Sequence, residues 1–335
     1  MNSDERLGQL TAWVSQFDGF ADARPTRASA DASFRRYFRV PGDVSYILMD
    51  APPPQEDCRP FVIIAGYLEQ MGLNAPRVLQ ADLERGFLLL TDLGSVPYLD
   101  ALESAPESAD SLYDDALDAL LLMQSKGTSC QALLPAYDVE LLRFELSLFH
   151  DWLCRKHLDI QFSAADSKHW DDCCEVLVAN ALEQERVFVH RDYHSRNLMV
   201  TENSNPGILD FQDAVEGPLT YDLVSLLKDC YIKCPATEIN RRAMYFFERL
   251  KAEQKAGLTL KTFLRRFDLM GVQRHLKAAG IFARLLLRDG KPDYLKDVPR
   301  TLSYIVDTAP QYAELRFLED LIGTRVLPRL ADVQR

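Results

Sequence analysis

The chain has 335 residues, 47% of them apolar and 26% charged, enough to bury a full core as one large domain or as two lobes. Its net charge of −12 leaves no cationic footprint for nucleic acid or an anionic membrane, and no apolar run reaches the length of a membrane span. Seven dispersed cysteines without a CxxC pair, and an acidic amino terminus without an apolar signal core, are what a cytoplasmic protein with reduced thiols is expected to carry.

Leu7, Leu10, Val14 and Phe17 recur at helical spacing and predict a short amphipathic helix over residues 4–17. Small residues over 26–33 read as a loop. The aromatic run 34–40 and the run 44–49, separated by Pro41, Gly42 and Asp43, read as a β-hairpin whose second strand ends at Pro52 to Pro54. A helix is expected over 61–70, stopped at Gly72, with further strands at 76–79 and 86–90. After Asp92, Leu93 and Gly94 the pattern turns helical. Leu112, Ala116, Leu120 and Met123 mark one helix; Leu141, Leu148 and Trp152 mark the next, and a shorter stretch covers 169–183. Three short strands follow, at 187–189, 198–200 and 207–209, and helices return from Tyr221. The division is expected near 91–95, between a strand-rich lobe (1–93) and a helical one (94–335).

Residues 190–197 read His-Arg-Asp-Tyr-His-Ser-Arg-Asn and are followed by Asp210, Phe211, Gln212 and Asp213. Apolar strands at both ends anchor the first loop and fix its polar side chains on a rigid frame. Asp192 and Asn197 are close enough in sequence for a looped backbone to aim both at one point, and a hairpin would return Asp210 beside them. Phosphoryl transfer from a nucleotide needs such a set: a carboxylate beside the attacking hydroxyl, with an amide oxygen and a second carboxylate on magnesium. The competing reading makes Asp192 and Asp210 turn or capping residues.

His190, Asp192, Asn197 and Asp210, in that order and between strands, resemble the signature of small-molecule kinases of the aminoglycoside phosphotransferase and choline kinase type. The resemblance spans about residues 25 to 290. It implies an α+β, protein-kinase-like bilobal fold, with a small antiparallel β-sheet N-lobe and a mainly helical C-lobe. It implies ATP and Mg2+ as cofactors, Asp192 as catalytic base, Asn197 and Asp210 as metal ligands, and His190 as a brace. Tyr221, Asp222 and Leu223 resemble the family's helix-borne Asp that ties down the catalytic loop.

The first lobe departs from that pattern. The strand 46–50 has no lysine and the next helix has no glutamate in its first turns, so the usual phosphate-holding ion pair is missing. Arg35, Arg36 and Arg39 are available instead, and Arg36 is the expected phosphate contact. The small-residue loop up to Ser33 replaces a glycine-rich phosphate loop. Leu90 and Asp92 lie in the segment that resembles the hinge meeting adenine. Glu145 puts a carboxylate on an apolar helix stripe, either as a pocket wall for substrate hydroxyls or in an internal salt bridge to Arg143 or Arg196. His194 and Arg196 are expected to contact substrate; Gln273 and His275 are weaker candidates.

The runs 33–40 and 48–53 look like those of bacterial kinases that phosphorylate N-acetylmuramate and N-acetylglucosamine at the anomeric hydroxyl during cell-wall recycling. That resemblance implies a small-molecule sugar substrate, with no nucleic acid, membrane or obligatory protein partner. A lactyl carboxylate calls for a nearby cation, for which Arg143 and Arg196 are available. The alternatives are an aminoglycoside or choline-type kinase, and a non-catalytic nucleotide-binding protein.

Overall fold

The computed structural model describes residues 4–30, 34–42 and 44–333. Five antiparallel strands form one sheet in the order β1-β2-β3-β5-β4: β1 Thr26–Ala30, β2 Arg36–Val40, β3 Tyr46–Asp50, β4 Val78–Asp82 and β5 Phe87–Thr91. Alternation along β5 gives the sheet two buried faces. Phe87 and Leu89, with Phe38, Val40 and Leu48, pack under Leu10, Trp13 and Val14 of α1 (Glu5–Val14). Leu88, Leu90 and Met49 join the larger core that contains Phe61, Ile64 and Leu68 of α2 (Arg59–Met71). Gly72 ends α2 in the left-handed conformation, φ +81°, which glycine adopts without steric cost.

The expected hairpin is β2–β3, in register from Arg36↔Asp50 to Val40↔Tyr46; Asp43 of its turn lies outside the described residues. The stretch expected as a loop from residue 26 instead adds β1 to the edge of β2. Its small residues carry little β-propensity, and backbone pairing to a neighbouring strand makes up for that.

The second lobe is mainly helical: α3 (Tyr98–Ser104), α4 (Ala109–Lys126), α5 (Val139–Leu148), α6 (Ala164–Leu182), α7 (Tyr221–Leu227), α8 (Ala236–Arg249), α9 (Leu260–Asp289) and α10 (Val298–Thr308). The chain past α5 continues in wider turns through Phe149–His157, so the helix expected to run past Trp152 changes its winding. Helix α9, about 45 Å long at 1.5 Å per residue, packs on α5, α7 and α10. Gly280 lets it approach closely, since a Cβ there would lie 2.3 Å from the Leu148 carbonyl carbon.

Two small ribbons frame the polar loops: β6 (Arg186–Val189) with β9 (Val215–Pro218), and β7 (Leu198–Met199) with β8 (Gly207–Ile208). Strand β9 was not expected from Val-Glu-Gly-Pro; its pairing with β6 makes it a strand. Contacts between the lobes are specific. Ile208 N donates to Asn74 O at 2.7 Å, and the Phe61 and Phe211 rings meet at 4.7 Å. No described helix is long and apolar enough to cross a membrane.

Candidate active site

Strand β6 delivers the chain to His190. Arg191 follows in the left-handed region, φ +77°, a conformation costing about 1–3 kcal/mol for a non-glycine residue. Both its ends are held: its N–H donates to Asp222 Oδ1 at 3.0 Å and its guanidinium to Glu145 Oε1 at 2.5 Å. His190 N donates to Asp222 Oδ2 at 2.6 Å. Asp222, in the first turn of α7, thus clamps two successive amides of the loop. Burial pushes its carboxyl up to about 7, against the pull of these two N–H groups.

His190 Nδ1 accepts from Asp192 N at 3.2 Å, which requires an unprotonated nitrogen. Burial lowers its pKa to about 4, and burial likewise takes His275, bonded to the Lys228 carbonyl, to about 3. Depressed folded-state values mean that stability is fully present above the unfolded value near 6.5 and is lost as pH falls toward 4. Each histidine contributes a loss of about 2 kcal/mol between pH 7 and pH 5, and Asp222, whose raised carboxyl acts in the opposite sense, offsets about one of them, so urea unfolding is expected to show a net loss of about 2 kcal/mol. Equal stability at the two pH values would contradict this account.

Asp192, Asn197 and Asp210 meet at the mouth of the loop. Asn197 Nδ2 donates to Asp192 O at 3.0 Å and lies 3.4 Å from Asp210 Oδ2. Leu209 N donates to Asn197 O at 2.9 Å, so the backbones of the two loops are joined beside their side chains. Asp210 has φ +59°; Gln212 Nε2 reaches its Oδ1 at 2.9 Å, and Arg35 lies 3.5 Å away. Buried Phe211 anchors this turn on α2. Burial opposes the charge of Asp192, but Lys277, His194 and Arg274 together hold its pKa below the ordinary value.

This donor set fits a hard cation. With Nδ2 taken by the Asp192 carbonyl, the amide oxygen of Asn197 is left for a metal beside the Asp210 carboxylate. No cluster of three His, Cys, Asp or Glu able to hold a metal occurs among the described residues. Magnesium bound here would draw its remaining ligands from phosphates and water, which is its usual habit.

The phosphate contact expected at Arg36 needs correction. Adjacent strand residues face opposite ways, and Arg36 points to the α1 face. There it pairs with fully buried Asp50, which Arg6 also holds, and with Asp4. Arg35 takes the other face, between Asp210 and Glu56 (3.8 Å). Glu56 Oε1 also accepts from Phe34 N at 3.0 Å. An Arg–Glu pair therefore stands beside the site where the family pattern has Lys–Glu. Ser33 lies outside the described residues. Leu90 is buried within the sheet. The Asp92 carboxylate is engaged by Arg39, Ser45 Oγ (2.8 Å) and Gly94 N (3.0 Å), which makes the side chain a clasp at the end of β5.

A cavity of about 90 Å3 opens beside Asp192. Its wall includes His194, Tyr231, Arg274, Lys277 and Phe282. His194 is buried, edge-on to Tyr231. Arg196 stacks over the Tyr231 ring at 3.8 Å, on the residue that forms the wall. Glu145 corrects another expectation. Its carboxylate is almost fully buried and bonded to Arg191, Lys277 (2.9 Å), Gln273 (3.1 Å) and the Tyr137 hydroxyl. Burial works against its charge, yet Lys277 and Arg191 hold its pKa below the usual range. It positions those cations and leaves no oxygen for a substrate hydroxyl; the internal salt bridge is real, with partners other than Arg143 and Arg196. Arg143 pairs with Glu175 at the surface.

Arg274 and Lys277 were missed from sequence. Their one signal is charge, one turn apart, on a helix whose neighbouring positions include Leu276, Ala279 and Phe282. Gln273 joins the Glu145 network, and His275 faces the Lys228 carbonyl.

Residues 25–254 match the phosphotransferase enzyme family model. The N-acetylmuramate/N-acetylglucosamine kinase of Pseudomonas aeruginosa is 47% identical, covering 99% of this chain and 100% of that one. The Neisseria meningitidis serogroup B protein of the same name is 38% identical over 96% and 98% of the two chains. Among solved structures, choline kinase LicA from Streptococcus pneumoniae (TM-score 0.62, 12% identity, 91% and 100% covered) shares the fold. The gentamicin complex of APH(2")-IIa (TM-score 0.59, 14% identity, 94% and 99% covered) does so as well.

Proposed function

Because the chain belongs to the phosphotransferase enzyme family, we propose that it is an ATP-dependent kinase acting on the anomeric hydroxyl of N-acetylmuramate and N-acetylglucosamine. The observation that carries this is near-full-length similarity to enzymes bearing that name, in a chain whose Asp192, Asn197 and Asp210 converge. The sugar 1-phosphate it makes would return cell-wall sugar to use.

Asp192 accepts a hydrogen bond from the C1 hydroxyl and takes its proton as the C1 oxygen bonds to the γ-phosphorus. ADP leaves with the electrons of the broken P–O bond. Asn197 and Asp210 would hold magnesium, which would neutralise charge on the phosphates. Positioning and charge neutralisation supply most of the rate. Arg274 on the cavity wall, without an ion-pair partner of its own, disfavours a cationic aminoglycoside or choline and suits a neutral or anionic sugar.

The test is ADP release on a panel of amino sugars, aminoglycosides and choline, with reducing sugar followed in parallel. Phosphorylation at C1 blocks ring opening, so reducing power falls in step with ADP. ADP release with reducing power intact would sink the anomeric assignment.

Arg35 takes the phosphate-contact role in this reading. Arg35→Ala is expected to raise the KM for ATP about 10- to 100-fold, the scale of a lost charge-assisted contact. Arg36→Ala is expected to lower stability by about 1–3 kcal/mol through buried Asp50, with little change in that KM. The reverse pattern would restore Arg36 to the site.

A further inference from the structure

The Arg274 side chain has an unusual position. It is about 5% exposed, lines the cavity that holds Asp192, and its Nε has no hydrogen-bond partner. Its one hydrogen bond among the described residues runs from Nη1 to Cys230 Sγ at 3.5 Å, a weak acceptor. The neighbouring cations are already matched: Lys277 lies 2.9 Å from Glu145 and donates to the Tyr221 hydroxyl at 2.8 Å, and Arg191 pairs with Glu145. The nearby carboxylate of Asp229 is engaged by Ser195 N and Oγ and by Tyr231 N. Asp192 and Asp229 act on Arg274 through space, but neither carboxylate lies at ion-pair distance, and a guanidinium buried with its fork unfilled leaves a place for an arriving anion.

We propose that Arg274 is the receptor for the carboxylate of an acidic sugar, the lactyl group of N-acetylmuramate, and so sets selectivity against N-acetylglucosamine. This rests on the sugar-kinase reading above and replaces the expectation that Arg143 or Arg196 plays this part. Arg143 is occupied at the surface, and Arg196 lies on the Tyr231 ring. The guanidinium faces a cavity that is open beside Asp192, so a substrate group can approach it there. Its wall brings together a base (Asp192), a cation (Arg274) and the apolar surfaces of Tyr231, Ile281 and Phe282, against which a sugar ring can lie. A guanidinium fork matches a carboxylate with two parallel N–H donors. Arg274 is thereby a specificity-determining residue, distinct from the phosphate-facing Arg35.

The experiment uses the full-length protein and compares kcat/KM for N-acetylmuramate, its methyl ester and N-acetylglucosamine. Wild type should prefer the acid to the ester. In Arg274→Met the ratio of N-acetylmuramate to N-acetylglucosamine should fall about 10- to 100-fold, mostly through KM, and the preference for acid over ester should vanish. Arg274→Lys, which keeps the charge and loses the fork, should retain part of that preference, and it serves if the Met variant does not fold. A merely structural role would lower both sugars by one factor and leave the acid–ester preference in place; that result overturns the proposal. So does a kcat loss common to both sugars, which would mark Arg274 as a stabiliser of the transferring phosphoryl group. Wild-type protein that turns over neither sugar sinks the sugar-kinase reading and this inference with it. Turnover of both sugars with no acid–ester preference sinks the inference alone.

Discussion

Replacing Asp192 with asparagine is expected to lower kcat by about 10²–10⁴-fold while leaving nucleotide binding near the wild-type level. The size is that of lost general-base assistance from a positioned carboxylate. The substitution keeps the shape of the side chain, and the backbone carbonyl that receives Asn197 Nδ2 is untouched. What disappears is the charge that, in the proposed reaction, orients the acceptor hydroxyl and takes its proton. Because the cations around it hold the Asp192 pKa below its ordinary value, the base stays ionised through the neutral range. An acid limb in the wild-type kcat profile above about pH 5 would therefore belong to another group. The measurements are steady-state ADP release and calorimetric titration with a non-hydrolysable nucleotide. A kcat within threefold of wild type would end the assignment of Asp192 as base.

The second large effect concerns stability. Glu145→Ala is expected to cost about 3–5 kcal/mol, because it leaves Arg191 and Lys277 buried with their shared counter-charge gone. Arg191 adds to this, since Glu145 is one of the two anchors that keep its backbone in the left-handed region. Glu145→Met combined with Lys277→Met should recover part of the loss, since it leaves one buried cation, Arg191, without its counter-charge in place of two. Denaturant unfolding monitored by circular dichroism gives both numbers. A single-variant loss under about 1 kcal/mol would show that water reaches the network. Activity should fall with stability in this case, as Lys277 lines the cavity beside Asp192.

The two effects read different parts of one design. Asp222 clamps the amides of His190 and Arg191 from below, and Glu145 holds the Arg191 side chain. The loop that presents Asp192 is thus fixed by two buried carboxyl groups whose bonds lie within the protein. Neither role was fully legible from the chain. Asp222 was found through its place in a family pattern, and Glu145 through an isolated charge on an apolar stripe. That stripe indicates a paired carboxylate without naming its partners, which are 46 and 132 positions away.

What the sequence by itself determined is what is local or periodic. The hairpin, α2 with its glycine stop, and the strands flanking the loop follow from alternation, helical spacing and turn residues within a few positions. The ordered polar motif from His190 to Asp210 belongs to the same class, because its residues are brought together by two short ribbons. Tertiary structure alone decided the rest. Strands β1 and β9 lack side-chain signals and exist because a neighbour supplies hydrogen bonds. Arg35 and Arg36 differ by one position, yet the chain entering β2 sends one to the candidate site and the other to buried Asp50. Arg274 comes to line the same cavity as Asp192, 82 positions away, through the packing of α9 against α7. Which charges meet in a folded chain depends on long-range packing, and no spacing rule encodes that distance.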